Sequence, residues 1–247
     1  MRRSGLLRPR RRRMLDDLLV IAVIGAASAV AWRMVSPPDY RVTLRAGGAT
    51  SEPMLPSEPV SLKGLAVDGS REAGLVLLEV ADFQCPYCAK FASEALPVIR
   101  ERYVKAGTVQ LAFLHFPMET IRPLAFKAAE VAECAGAQGS FWAMNQLLFQ
   151  RRQEFAEARW NEYASSTGLD LDEFRSCLSG QVTARIRDQV ATGQSLGVSV
   201  TPTFFVGIRM PDLRIRLVRR ITGAQPLAIF EEALDALLQQ RPLLQAR

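Results

Sequence analysis

Two cysteines separated by two residues are the part of this sequence best suited to chemistry. They lie in the run Cys85-Pro86-Tyr87-Cys88. If this run opens a helix, the two sulfurs stand one turn apart, close enough to bond. Unpaired N–H groups at the helix start stabilise a thiolate on Cys85, whereas Cys88 is more shielded. Pro86 suits the first helical position because its missing N–H costs little there. The pattern predicts thiolate attack on a disulfide through a mixed-disulfide intermediate.

A zinc site is the main alternative for such a pair of cysteines. Zinc would need two more ligands. The single histidine of the chain is His115, and the two other cysteines, Cys134 and Cys177, lie far along the sequence without metal-like spacing. We therefore expect no metal and no small-molecule cofactor. His115 itself, at the end of an apolar run, is more typical of a packed or hydrogen-bonded histidine than of a catalytic one.

Apolar runs on either side of the cysteine pair predict the elements that position it. Residues 75–81 form a short, nearly continuous apolar run, which is typical of a strand covered on both faces. The helix that the cysteines open is predicted to reach about Val104, and a second buried strand is predicted at residues 109–116. A strand–helix–strand order with a crossover of this length implies that the two strands are parallel.

The rest of the chain predicts a helical insert, a hairpin and a closing helix. Glycines punctuate a helical stretch of about residues 121–196 into four or five helices. Strands at residues 203–208 and 215–221 are expected to form an antiparallel hairpin. The final helix is predicted to bury one face, formed by Leu227, Phe230, Leu234 and Leu237. The predicted fold is therefore α/β, with the order βαβ, an all-helical insert, then ββα.

Residues 1–35 are predicted to be a basic leader followed by a signal or membrane-anchor helix. Seven arginines and no acid lie in the first thirteen residues, and removing these charges from the formal net charge of +6 leaves −1. A nucleic-acid partner is therefore not indicated. The apolar run at residues 18–32 predicts export, anchoring, or both, with the bulk of the chain outside the cytoplasm, in the periplasm or an equivalent space. Residues 36–59, rich in proline and glycine, are predicted to be a tether to a domain at residues 60–247.

Two separated motifs resemble the DsbA-like branch of the thioredoxin superfamily. They are Asp82-Phe83-Gln84-Cys85-Pro86-Tyr87-Cys88 and Thr201-Pro202-Thr203-Phe204-Phe205-Val206. The resemblance covers about residues 60–240, including the order of elements and the large helical insert. It implies a thioredoxin-like fold and an enzyme that oxidises cysteine pairs of exported proteins. A membrane redox partner is also implied, because a dithiol turns over only if it is reoxidised.

The resemblance implies roles for further residues. Pro202 takes the position of a cis proline that opens a strand beside the disulfide; a trans proline at the start of a strand is the alternative. There, the backbone of Thr201 would pair with an extended substrate segment. Glu79, six residues before Cys85, takes the position of an acid that exchanges a proton with Cys88. A charge facing solvent at the strand end is the alternative reading of Glu79.

Tyr87 is a departure from the family pattern. The corresponding motif of DsbA is Cys-Pro-His-Cys, in which a cationic histidine helps to stabilise the reactive thiolate. Tyr87 has no positive charge. We therefore expect a weaker oxidant than DsbA, with a more negative reduction potential. Pro86 and Tyr87, together with Thr201, are predicted to contact the substrate.

Relatives in this branch carry a second cysteine pair, which implies a structural disulfide between Cys134 and Cys177. An even number of cysteines in an oxidising compartment is compatible with two disulfides. A bridge closing so long a loop would stabilise the fold by about 3–4 kcal/mol in the loop-entropy model. Two unpaired buried thiols and a second redox relay remain open as alternatives.

Two alternatives to an oxidase also remain open. The first keeps the chemistry and reverses its direction, giving a disulfide reductase or isomerase fed by a membrane electron donor. The second is a thioredoxin-fold binding or chaperone module in which Cys85 and Cys88 form only a structural bridge. Covalent capture of substrates and the redox state of the pair in cells distinguish these functions.

Overall fold

The computed structural model describes residues 55–245, with side chains described through residue 240. The predicted leader at residues 1–35 and most of the predicted tether at residues 36–59 lie outside the described residues. Within residues 55–245, no helix combines the length and the hydropathy needed to cross a membrane.

A six-stranded mixed sheet lies at the centre of the domain. Its strands are β1 (Val60–Ser61), β2 (Ala66–Asp68), β3 (Leu75–Ala81), β4 (Val109–His115), β5 (Thr203–Arg209) and β6 (Arg214–Thr222). Their order across the sheet is β1-β6-β5-β3-β4-β2. β3 and β4 are parallel, and β5 and β6 form an antiparallel hairpin, which confirms both predicted pairings. The short edge strand β2 is not predicted from the sequence, because three residues carry too little periodicity.

Eight α-helices are present among the described residues. They are α1 (Pro86–Glu94), α2 (Leu96–Ile99), α3 (Ala125–Ala137), α4 (Phe141–Arg151), α5 (Trp160–Ser166), α6 (Leu171–Leu178), α7 (Thr183–Ser195) and α8 (Leu227–Gln245). A short π-helical segment, Arg100–Val104, follows α2, and two 3₁₀ turns, Arg152–Glu154 and Glu157–Arg159, follow α4. Helices α3 to α7 form the predicted helical insert between β4 and β5.

The prediction of one continuous helix from the cysteines to Val104 is wrong. The segment is helical, but it is divided at Ala95 into α1, α2 and the π-helical segment. Pro97 causes the break because it has no N–H to donate and its ring crowds the preceding turn. The insert also begins later than residue 121, since α3 starts at Ala125. Pro123 disfavours a helical conformation at the residue before it.

Both faces of the sheet are covered. Alternate side chains of β3 point to opposite faces, and each set packs into a core. Leu75 and Leu77 pack with Phe91 of α1 and Phe230 of α8 on one face. Val76 belongs to the core on the other face. Each of these five side chains is almost fully buried, which stabilises the fold by roughly 1.5–3 kcal/mol per side chain. β3 is therefore a firmly held platform for the residues that follow it.

The insert packs onto the segment between β3 and α1. Phe83 of that segment stacks on Phe113 of β4, with ring centroids 5.3 Å apart, and packs against Phe149 of α4 at 4.9 Å. A disulfide joins Cys134 of α3 to Cys177 of α6, which are 43 residues apart. The aromatic contacts fix the segment just before the cysteine pair, and the disulfide crosslinks two helices of the insert.

Candidate active site

Three segments meet at the edge of the sheet where β3 and β4 end. The first connects β3 to α1, the second is the loop of residues 116–124 after β4, and the third is residues 200–202 before β5. Because β5 is antiparallel to β3, with Thr203 beside Val80, the start of β5 lies at this same edge. The sheet topology therefore brings the two sequence motifs together.

Cys85 is the N-cap residue of α1, and Pro86 occupies its first turn. The backbone of Cys85 is extended, with φ −72° and ψ 122°. Its N–H donates to the carbonyl of Asp82 at 3.0 Å, and its carbonyl accepts from Ala89 at 3.1 Å. Cys85 and Cys88 are both free thiols, and both are buried. The predicted position of the first cysteine at the start of a helix is confirmed.

The surroundings of Cys85 lower its pKa from 9.0 to about 5. The largest cause is a hydrogen bond from the Cys88 side chain to the thiolate, which burial opposes. The Thr201 hydroxyl and the positive charge of Arg122 lower the pKa further. In the thiol form, the S–H of Cys85 donates to the Thr201 carbonyl at 3.2 Å. Cys85 is therefore mostly a thiolate at neutral pH, which is the nucleophilic form of cysteine.

Cys88 has the opposite electrostatic character. Burial, first of all, raises its pKa well above 9.0, and the hydrogen bond to Cys85 and the charges of Cys85 and Glu79 raise it further. Cys88 is therefore protonated whenever it is released from a disulfide at neutral pH. The two sulfurs differ as the sequence predicts, although they are only one helical turn apart.

Glu79 lies on the face of β3 that α1 covers, because it follows Leu75 and Leu77 in the alternation of the strand. Only 4% of Glu79 is exposed, and its Oε1 has no hydrogen-bond partner among the described residues. Burial raises the pKa of Glu79 to about 8; Arg100 opposes this rise and the charge of Cys85 adds to it. The alternative reading of a charge facing solvent is therefore wrong, and Glu79 is mostly protonated at neutral pH.

The peptide bond between Thr201 and Pro202 is cis, which is the geometry that the resemblance implies. The Thr201 hydroxyl also lies 3.8 Å from Sδ of Met118, in the loop after β4. Thr201 therefore contacts both other segments of the site, through its carbonyl to Cys85 and through its hydroxyl to Met118.

Exposed apolar side chains occur on the first turn of α1 and on the other two segments of the site. Tyr87, between the two cysteines, is 63% exposed, Ile121 is 64% exposed and Val200 is 46% exposed. A cleft of about 590 Å³ also begins at Pro86 and runs between α1 and α4. The site is therefore bordered by exposed apolar side chains, and a cleft adjoins the first turn of α1.

The structure connects residues with the site that no spacing in the sequence links to it. Asp82 Oδ2 accepts a hydrogen bond from the backbone N–H of Met118 at 2.9 Å and another from Arg122 at 3.1 Å. Gln84 Oε1 accepts from the backbone N–H of Leu124 at 2.8 Å. Asp82 and Gln84 stand in the sequence motif without an assigned role. Only the fold shows that they hold the loop of residues 116–124.

His115 is packed and paired away from the sulfurs, in agreement with its interpretation from sequence. Its Nε2 lies 3.2 Å from Oε1 of Glu133, and its backbone N–H donates to Gln189 at 2.7 Å. Its ring contacts Phe83 and Phe113. His115 therefore joins β4 to the insert.

Comparison with known proteins identifies the family. A family model described as thioredoxin matches residues 62–215. The chain belongs to the thioredoxin family. Among solved structures, this thioredoxin domain is similar to alpha-DsbA1 of Wolbachia pipientis (TM-score 0.65, 20% identity, 75% of this chain and 96% of that one). It is also similar to oxidised BdbD of Bacillus subtilis (TM-score 0.63, 21% identity, 75% of this chain and 98% of that one). The prediction of a thioredoxin-like fold is confirmed, both by the family model and by the fold of these structures.

A curated relative of this thioredoxin-family chain has a different kind of name. It is the Na(+)/H(+) antiporter NhaA 3 of Salinispora tropica, 36% identical over 199 residues, which are 77% of this chain and 29% of the relative. The chain spans less than a third of the length of that relative. The similarity therefore concerns one part of the relative.

Proposed function

We propose that this protein is a thiol–disulfide oxidase of exported proteins, with Cys85 as the attacking nucleophile and Cys88 as the resolving thiol. The observation that carries the proposal is the opposite environment of two sulfurs one helical turn apart. A stabilised thiolate on Cys85 favours the reduced dithiol. The disulfide form of the pair therefore tends to take two electrons from a substrate.

Oxidation of a substrate begins with the disulfide between Cys85 and Cys88. A substrate thiolate attacks the sulfur of Cys85, which forms a mixed disulfide and breaks the bond to Cys88. Cys88 leaves with the electron pair and takes up a proton, because its pKa is raised. We assign the donation of this proton to Glu79, which is buried beneath α1 and protonated at neutral pH.

A second substrate thiolate then completes the oxidation. It attacks the substrate sulfur of the mixed disulfide and forms the substrate disulfide, and Cys85 leaves as a thiolate. The low pKa of Cys85 makes it a good leaving group. The substrate has lost two electrons and the cysteine pair has gained them. A membrane redox partner that accepts these electrons would return the pair to its disulfide form.

Substrate binding follows from the groups around Cys85. We propose that the backbone of Thr201, on the cis peptide bond next to Pro202, pairs with an extended segment of the substrate. Pro86 and the exposed ring of Tyr87 would contact the side chains that flank the substrate cysteine. Backbone pairing accepts many sequences, which suits an enzyme with many clients.

We propose that the domain works outside the cytoplasm. The support is the basic leader and the apolar run at residues 18–32, which together are typical of an export signal or an anchor. The domain lies outside the cytoplasm whether the leader is cleaved or is retained as an anchor.

A trapping experiment tests the proposed function. In the variant Cys88→Ser, Cys85 can attack a disulfide-bonded substrate, but the mixed disulfide cannot be resolved, so we expect covalent complexes that a reductant releases. The double variant Cys85→Ser/Cys88→Ser is the control. Absence of any covalent complex with reduced Cys88→Ser would leave only the binding module.

The redox state of the pair in cells determines the direction of the reaction. An oxidase accumulates with Cys85 and Cys88 bonded, whereas a reductase or isomerase accumulates as the dithiol. Acid quenching followed by alkylation of free thiols separates the two forms by mass. A predominantly reduced pair in growing cells would contradict the oxidase.

A further inference from the structure

Asp82 poses an electrostatic problem for the cysteine pair. It precedes Cys85 by three residues, its side chain is completely buried, and its carbonyl accepts from the N–H of Cys85. A buried carboxylate so close to a second developing negative charge disfavours that charge. Tyr87, between the two cysteines, carries no positive charge to offset it. A cation placed against Asp82 by another part of the fold therefore favours the thiolate of Cys85.

Arg122 supplies a cation at this position. Its guanidinium Nη1 donates to Asp82 Oδ2 at 3.1 Å, and its side chain is only 18% exposed. Water and salt screen a sheltered charge less than a charge on the surface. Arg122 therefore neutralises the carboxylate of Asp82 and adds positive potential at the start of α1.

The loop that carries Arg122 is held against the site on both sides of this residue. The N–H of Met118 donates to Asp82, and the N–H of Leu124 donates to the side chain of Gln84. Met118 also contacts the hydroxyl of Thr201. Because the fold fixes the loop before any substrate arrives, placing the charge of Arg122 requires no reorganisation during the reaction.

We propose that Arg122 is a positioning residue of the cysteine pair: clamped by Asp82, it supplies the positive charge that sustains the thiolate of Cys85. The inference rests on the proposed thiol–disulfide function and deepens it. It gives this chain a fixed positive charge in the loop after β4, close to the start of α1.

The electrostatics of Cys85 agree with this assignment. The hydrogen bond from Cys88 is the largest cause of its lowered pKa, the Thr201 hydroxyl follows, and Arg122 contributes through its charge. Glu79, which approaches from β3, is mostly neutral at neutral pH and so opposes the thiolate little. Arg122 thus adds to the hydrogen bonds and does not replace them.

Titration of Cys85 in variants of Arg122 tests the proposal. We expect Arg122→Gln to raise the titration midpoint of the reduced full chain by about half a unit to one unit, measured by ultraviolet absorbance of the thiolate. Arg122→Lys, which keeps the charge, should recover most of the shift. Arg187→Gln is the matched control. Arg187 pairs with Glu119 of the same loop, and its side chain is 55% exposed, so solvent and salt screen its charge.

Arg122→Gln leaves Asp82 as an unpaired buried charge, which destabilises the fold. The same substitution is therefore also made in the variant Asp82→Asn. In Asp82→Asn, residue 82 has no carboxylate that could lose its partner. Adding Arg122→Gln to Asp82→Asn should again raise the midpoint of Cys85. An unchanged midpoint on removal of Arg122 in either background, or equal shifts for the Gln and Lys variants, would overturn the proposal.

The outcome is separable from that of the proposed function. If Cys88→Ser captures no substrate while Arg122→Gln still shifts the titration of Cys85, the oxidase fails and the electrostatic role of Arg122 stands. If Cys88→Ser captures substrates and Arg122→Gln leaves the titration unchanged, the oxidase stands and the role of Arg122 fails.

Discussion

The two cysteine pairs of this chain differ in how the fold surrounds them. Cys85 and Cys88 lie one turn apart at the start of α1, where three separate segments meet. Cys134 and Cys177 lie 43 residues apart and form a disulfide between α3 and α6 of the insert. Burial does not separate the pairs, because Cys85, Cys88 and Cys134 are all completely covered and Cys177 is 7% exposed.

All four cysteines belong to one hydrophobic cluster, so the polar partners of the sulfurs distinguish the two pairs. Cys85 has a helix N-terminus, the Thr201 carbonyl and hydroxyl, and the charge of Arg122 around its sulfur. Cys134 lies inside α3 among core side chains of the insert. The polar groups near a buried sulfur, and not its burial, therefore favour the thiolate that disulfide exchange requires.

Substitutions in one cysteine pair at a time should have the largest effects. We expect Cys85→Ser to abolish disulfide exchange with a model substrate, because no nucleophile remains at the helix start. We expect Cys134→Ser/Cys177→Ser to keep exchange and to lose about 4 kcal/mol of stability in the loop-entropy model. Insulin reduction and denaturant unfolding measure the two effects. Loss of exchange in a folded Cys134→Ser/Cys177→Ser variant would instead support a second redox relay.

The pH dependence of alkylation sharpens the contrast between Cys85 and Cys88. The rate of Cys85 alkylation should follow a titration with a midpoint of about 5, while Cys88 stays unreactive up to at least pH 9.0. The sign is that of an acid with a lowered pKa: thiolate stabilisation of the reduced protein is complete above pH 9.0 and is lost as the pH falls through about 5. Peptide mapping of the alkylated protein assigns each rate. A midpoint near 9.0 for Cys85 would remove the asymmetry on which the proposed function depends.

Glu79→Gln tests the proton donor, and its largest effect is on stability. The pKa of Glu79 is about 8 in the folded protein against 4.5 for an exposed glutamate. Ionisation of Glu79 therefore opposes folding by an amount that is absent below pH 4.5 and grows until about pH 8. We expect Glu79→Gln to be more stable than the natural protein by roughly 3 kcal/mol at pH 7 and equally stable at pH 4. Urea unfolding at both pH values measures the difference.

Glu79→Gln should also slow the release of Cys88 from the disulfide, because the donated proton is gone. The control is Glu231→Gln, which changes an acid of α8 that pairs with Arg102. Equal stability gains at pH 4 and pH 7 would show that the gain does not come from removing a titrating carboxyl group.

The smallest expected effect concerns Tyr87. Tyr87→His introduces a cation between the cysteines below neutral pH, so the pair should become more oxidising, by about 3-fold to 10-fold in its equilibrium with glutathione. The effect is small because position 87 is 63% exposed and solvent screens a charge there. Tyr87→Phe is the matched control. A more reducing pair in Tyr87→His would contradict the expectation that the missing cation makes this protein a weaker oxidant than DsbA.

Much of the fold could be predicted because its signals are local. The apolar run before the cysteines gives β3, the two strand-like runs late in the chain give the hairpin, and Pro86 marks the start of α1. The break at Ala95 and the strand β2 escaped prediction. A proline inside a helical pattern leaves open where the helix divides, and a three-residue edge strand is stabilised by its neighbour β4.

The amino-acid sequence was sufficient to predict where the two sulfurs of the proposed reaction lie. Two cysteines in Cys85-Pro86-Tyr87-Cys88 after a buried strand place one sulfur at a helix start and the other a turn deeper, whatever the rest of the chain does. Glu79 is on the same face as Leu75 and Leu77, because strands alternate with a period of two.

The charges and hydrogen bonds around the two sulfurs depend on the tertiary structure. Thr201 and Cys85 are 116 residues apart in sequence, and they meet because β5 is antiparallel to β3. Arg122 reaches Asp82 because β4 is parallel to β3, so the segments that follow these two strands emerge at one edge. Charges act through space over a few ångströms, and no spacing along the chain reports that distance.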